Sequence, residues 1–319
     1  MASFFRDGVA KIRALRGGQW LGVAVSLLFV AAAVFVLIRD SASLLSASFR
    51  LHGGWLFLSF VVECTGLIVA VPVWRQILGR LNGRLSLSKD FRIYCYSMLG
   101  VAIPGRLWSV AGRAALYKRE GVSGLTVAVA SFIELLVFGL AGLVVFGVAT
   151  AVSPPTNLWQ KPMLALVITL LAVVLIQPPL FNRLITWLLR RVRSETDIAL
   201  SYHDLAIWLV GEVVVVVIGG TAVYILLYSL SPVSLTLLPA IITAWASATI
   251  AGSLFFWIPG PVIRDGMMTL VLTQVLPSAT AVLFVILVRI WTIASILLLV
   301  ALIWLISPHL LPKSAKYHS

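Results

Sequence analysis

Apolar residues run along this chain in long blocks, separated by short stretches that carry most of its charge. About 20 apolar residues in a row form a helix long enough to cross a bilayer. Trp20–Ile38, Trp55–Trp74, Leu125–Val148, Met163–Phe181, Leu205–Tyr228 and Ala279–Ile306 have that character and predict full spans. Two further apolar stretches are interrupted. Phe91–Tyr117 is cut by Pro104-Gly105, and Leu237–Leu276 by Pro259-Gly260-Pro261. Proline lacks the amide donor and collides with the preceding turn, and glycine weakens a helix further. Each stretch therefore reads as two half-helices meeting at a break, a re-entrant hairpin. Such backbone is tolerated at membrane depth only where protein or a wet cavity satisfies it. Ahead of the first span, Phe5, Val9, Ile12 and Leu15 recur at helical spacing between Arg6, Lys11, Arg13 and Arg16, which predicts a short interfacial helix. Trp20–Ile38 is longer than the roughly 7–15 residues of a signal peptide's apolar core, so it reads as a first span.

Composition agrees with this pattern. The 319 residues are 61% hydrophobic and 11% charged, against about 25% charged in soluble domains. The expected fold class is an all-α polytopic membrane protein, one integral membrane domain over 1–319. It has about six full spans and two broken hairpins. The charge is lopsided, with 24 Lys+Arg against 11 Asp+Glu and a net charge of +13. On a soluble chain this would suggest nucleic acid; here the cations mark cytoplasmic loops and meet anionic headgroups. With the N-terminus inside, 19 of the 24 Lys+Arg fall on the cytoplasmic side. Only Arg39, Arg50 and Lys161 face out, while Arg264 and Arg289 lie in the membrane region. Both termini are thus expected in the cytoplasm, with the protein in the plasma membrane. Eight simple spans would leave the termini on the same side, so charge alone does not separate six plus two from eight.

Catalytic and metal chemistry have little to build on. Cys64 and Cys95 sit in apolar stretches, and the four histidines lie scattered near segment ends. No cofactor, metal or catalytic residue is expected.

The two halves, about 1–157 and 158–319, share a layout of span, span, broken hairpin, span. Their second spans each carry an acid, Glu63 in "VVECTGL" and Glu212 in "LVGEVVV". Both hairpins break at Ile-Pro-Gly, and a charge follows each break at the same distance: Glu134 after Pro104, and Arg289 after Pro259. Three spans precede the second half, so it enters the membrane from the other side. Inverted repeats with broken helices mark alternating-access carriers.

A charge at the centre of a membrane helix costs about 2.5–3.5 kcal/mol on insertion scales, so it needs a partner or a wet cavity. Glu63, Glu134, Glu212, Arg264, Asp265 and Arg289 are the candidates. They either pair to hold helices in register or line a polar path for a headgroup. Arg106 and Arg113 are two turns apart and project from one face of the half-helix after Pro104-Gly105. The free N–H groups there favour an anion, and an arginine fork grips phosphate. Arg106 could equally snorkel to lipid.

At these residues the chain resembles the flippase-like membrane domain of lysylphosphatidylglycerol synthases and its stand-alone relatives. The resemblance rests on "IPGRLWSVAGRAALYKREGVS" with "SFIELLVFG", and on "IPGPVIRDGMM" with "ILVRIWTIA". It implies a protein that moves lipids or lipid-linked headgroups between leaflets. On that likeness Arg106, Arg113 and Glu134 belong to the first motif, and Arg264, Asp265 and Arg289 to the second. The chain departs from the family pattern at Trp108-Ser109, where a Gly-Glu pair is common. It departs again at Pro261 and Asp265, where a Gly-rich turn and a Glu are usual. No aminoacyl-transfer domain is present in these residues.

The expected function is a lipid transporter or flippase for an anionic phospholipid or a polyprenyl-phosphate-linked headgroup. Sideways access by a lipid calls for a cavity open to the bilayer between the halves. Two alternatives stand beside it: a non-catalytic accessory subunit of a glycosyltransferase or lipid-modifying synthase, and an enzyme acting on a lipid phosphate. The expected partners are membrane lipids, not nucleic acid.

Overall fold

The computed structural model describes residues 51–102, 107–153, 170, 174, 177–191, 200–256 and 260–306. Regular structure among them is helical throughout. In chain order the helices are α1 (Gly53–Arg80), α2 (Leu87–Met98), α3 (Leu107–Arg119), α4 (Gly124–Val152), α5 (Pro178–Arg191), α6 (Tyr202–Leu230), α7 (Leu238–Leu254), α8 (Gly260–Leu272) and α9 (Ser278–Ile306). Short 3-10 turns at Leu99–Ala102 and Leu235–Leu237 extend α2 and lead into α7.

Among the described residues, α1, α4, α6, α9 and the segment Leu235–Leu254 are long and apolar enough to cross a membrane. The chain is therefore a helical membrane protein. Four of the five segments coincide with blocks read from the sequence. The fifth, read from the sequence as one arm of a broken hairpin, is long enough by length and composition to cross. Pro239 falls in the first turn of α7, where its missing amide costs nothing, and the next proline is Pro259, so the apolar segment runs for 20 residues. The N-terminal amphipathic segment, Trp20–Ile38 and most of Met163–Phe181 lie outside the described residues. So do Pro104-Gly105, Arg106 and Pro259.

α1 and α6 form the centre and lie antiparallel. Arg80 pairs with Asp204 at one end, and the His52 amide donates to the Ser229 carbonyl at the other, at 2.8 Å. Glycine lets the two backbones approach: a Cβ on Gly211 would come 2.5 Å from Val73, and one on Gly66 3.2 Å from Ile218. The start of α6 is set by a capping box, in which Ser201 Oγ accepts from the Asp204 amide and the Asp204 carboxylate accepts from the Ser201 amide. Ser201→Ala removes one half of the box and shifts the Asp204 carboxylate that holds Arg80. It is expected to lower stability by about 0.5–2 kcal/mol, readable as a lower thermal midpoint in detergent.

α2 and α3 fold against each other. Their outer ends meet where Lys89 Nζ lies 2.5 Å from Glu120 Oε2, and their inner ends meet where Gly100 abuts the Trp108–Ser109 backbone. Helices of 12 and 13 residues span about 18–20 Å at 1.5 Å per residue, short of a 30 Å hydrocarbon core. α7 and α8 pack together in the same way, and α7 runs antiparallel to α4. Gly142 faces Thr249 and Ile250, and Gly139 faces Ser253. The rings of Phe132 and Phe256 sit 6.2 Å apart, so the inner end of α7 reaches the middle of α4. At the Val152 end of α4, Thr150 and Ser153 line a cavity of about 20 Å³ with Ala240, Thr243, Val271 and Gln274. The outer ends of α7 and α8 therefore lie at the Val152 end of α4. The outer ends of α2 and α3 lie toward its Gly124 end.

Candidate functional site

Two charged clusters form within the helix pairs α2–α3 and α7–α8, where they face the long helices. In the first, Arg113 of α3 reaches between two aromatic rings. Its guanidinium carbon lies 4.2 Å from the Trp74 ring centroid and 4.3 Å from that of Tyr94. Its Nη1 donates to Glu134 Oε2 at 2.6 Å, and its Nε to Ser97 Oγ at 3.1 Å. Only 3% of Arg113 is exposed. A polar chain braces one wall: Trp74 Nε1 donates to Tyr117, Tyr117 donates to Asp90, and Arg75 closes on the other Asp90 oxygen at 2.7 Å. Glu134 Oε1 is buried without a hydrogen-bond partner among the described residues.

In the second cluster, Arg289 Nη1 of α9 donates to Asp265 Oδ2 of α8 at 2.7 Å. The neighbouring Arg264 lays its guanidinium over the Trp245 ring at 4.7 Å. Trp245 fits there because Gly219 of α6 has no side chain: a Cβ would lie 2.5 Å from the indole nitrogen. Arg264 enters none of the ion pairs among the described residues, although the charges of Asp265, Glu63 and Arg289 all act on it.

The clusters share a plan. In each, the first short helix supplies an aromatic and the second an arginine that covers it, 19 positions apart in both: Tyr94 with Arg113, and Trp245 with Arg264. In each, an ion pair ties the second short helix to the long helix that follows, with the signs exchanged: Arg113 to Glu134, and Asp265 to Arg289. The acids of the central helices cross over. Glu63 of α1 acts on Arg264 in the second half, and Glu212 of α6 acts on Tyr94 in the first. Both acids are buried.

The structure thus joins Arg113 to Glu134, and Asp265 to Arg289 with Arg264 next to Asp265 on α8, while Glu63 and Glu212 are buried on the two central helices. Arg106 lies outside the described residues. The sequence reading missed Trp74, Tyr94, Trp245, Asp90 and Tyr117, since aromatic residues abound here and polar ones near helix ends look like ordinary anchors. The repeated aromatic-to-arginine spacing was a usable signal. The cavity at the Val152 end of α4 has room for a water molecule, not for a headgroup. Arg113 is buried, with Nε and Nη1 engaged and a ring on each face. Chemically the groups offer cations, carboxylates and aromatic faces, a set suited to holding an anion. No family model matches this chain, and no curated protein matches it. The fold and the two clusters define the class: a polytopic helical membrane protein with charge pairs buried between short and long helices.

Proposed function

We propose that this protein is a lipid transporter that moves an anionic phospholipid or a polyprenyl-phosphate-linked headgroup between the leaflets of the plasma membrane. The observation that carries the reading is the pair of arginine-over-aromatic clusters within two helix pairs whose outer ends lie at opposite ends of α4. In this reading α2–α3 and α7–α8 are re-entrant hairpins entering from opposite faces, and the halves form an inverted repeat with both termini cytoplasmic. Carriers built this way place their site between the repeats, near the midplane. Two further features support the reading: the crossing of Glu63 and Glu212 to the opposite half, and the exchange of signs in the two ion pairs.

The test is headgroup translocation in sealed liposomes holding only the purified protein, with fluorescent phospholipids and a short polyprenyl-phosphate sugar as cargo. The wild type is expected to move at least one of them. Arg264→Gln is expected to slow that movement about tenfold or more, as befits loss of a charge-assisted contact to phosphate. Folded protein that moves none of these lipids would refute the carrier reading and favour an accessory subunit.

A further inference from the structure

Building on that transporter reading, we infer that the phosphate is received by Arg264 together with Arg289 in the second half, and that Arg113 in the first half serves as a fixed joint. The two halves carry the same plan, but their arginines are in different states. Arg113 is 3% exposed, with an ion pair, a hydroxyl partner and a ring on each face. A ligand reaching it would have to enter between the two rings and beside the Glu134 pair. Arg264 is only half-buried, has one ring beneath it at 4.7 Å, and enters no ion pair among the described residues. Among the described residues no carboxylate takes the guanidinium edge that makes bidentate contacts.

Arg289 completes the site. The Arg289 side chain remains 31% exposed while pairing with Asp265 through Nη1, and its charge is felt at Arg264. Arg289 is tied to Asp265, the residue next to Arg264 on α8, so a phosphate held by Arg264 meets a second cation beside one paired carboxylate, and Asp265 keeps Arg289 in place. Trp245 is held by the Gly219 gap. The ligand class is a phosphate mono- or diester at the end of a lipid. The ring under Arg264 suits it by supporting one face of the guanidinium plane.

Lipid retention on the detergent-purified full chain, read by native mass spectrometry, separates this site from transport. The probes are phosphatidylglycerol and farnesyl phosphate, with inorganic phosphate as competitor. Arg264→Gln should weaken retention about tenfold, and Arg264→Lys, which keeps the charge but loses the fork, about threefold. Arg80→Gln removes a cation at the far end of α1 and should change retention less than twofold. Equal retention by wild type and Arg264→Gln would overturn the inference. So would equal losses in Arg264→Gln and Arg80→Gln, since general attraction would then explain the binding. Displacement by inorganic phosphate alone would assign the site to a free anion and overturn the headgroup. Retention that depends on Arg264 without translocation in liposomes would support the site and reject transport alone.

Discussion

Arg113→Ala is expected to be the most damaging single substitution in the protein, lowering stability by about 3–5 kcal/mol, the range for removing one partner of a buried ion pair. The loss has several parts. Glu134 keeps a carboxylate inside the molecule with its cation gone, and its Oε1 already lacks a hydrogen-bond partner among the described residues. Ser97 loses a donor. Trp74 and Tyr94 lose the flat group that fills the space between them. Thermal unfolding in detergent should show a large fall in the midpoint, with poor recovery of monodisperse protein. The double variant Arg113→Met, Glu134→Leu checks the cause, because replacing both partners with apolar groups of similar length removes the unpaired charge and should recover much of the loss. If the double variant is as unstable as Arg113→Ala, the charge pair is not what holds α3 to α4. Loss of transport in Arg113→Ala alone would say little about a binding role, since the same change loosens the fold. Arg264 is the more informative position for function.

Gly100→Ala should have the second largest effect. A Cβ there would stand 2.6 Å from the Ser109 amide nitrogen and 2.7 Å from its Cα, distances that ordinary contacts do not reach. The obstacle is backbone, so no rotamer change relieves it. The inner ends of α2 and α3 must separate, at a cost of about 1–3 kcal/mol typical of overpacking. That separation would pull Tyr94 and Ser97 on one arm away from Arg113 on the other. Gly112→Ala is the matched comparison: it lies on α3, the other arm of the pair, nothing stands within 4 Å of its Cβ position, and the change should be neutral or slightly stabilising. A Gly100→Ala protein with a wild-type thermal midpoint would mean that the two arms are not in fixed contact at their inner ends.

The sequence alone was sufficient for the membrane class and for most span positions. Length and hydropathy decide whether a helix can sit in a bilayer, and both are local properties of the chain. The presence of charges that had to find partners within apolar helices was equally legible, while Pro104-Gly105 and Pro259 lie outside the described residues. Glu134 and Asp265 were each found among the candidates for that reason. Their partners were not readable in the same way. Glu134 sits 21 residues from Arg113, and Asp265 sits 24 from Arg289, beyond the reach of any periodicity within one helix. The stacking of Arg113 between Trp74 and Tyr94 requires three helices to converge, and α1 lies far from α3 along the chain.

Tertiary structure also decided which of two similar arginines is committed. Arg113 and Arg264 follow breaks of the same kind, and each covers an aromatic 19 positions earlier. In the first half the acid stands on α4 and takes the arginine of α3 itself. In the second half the acid is Asp265, next to Arg264 on α8, and it turns to Arg289 of α9. A pattern of residues names the charges that must be satisfied; only packing in three dimensions chooses which charge satisfies which, because the choice depends on distances between helices that no stretch of sequence contains.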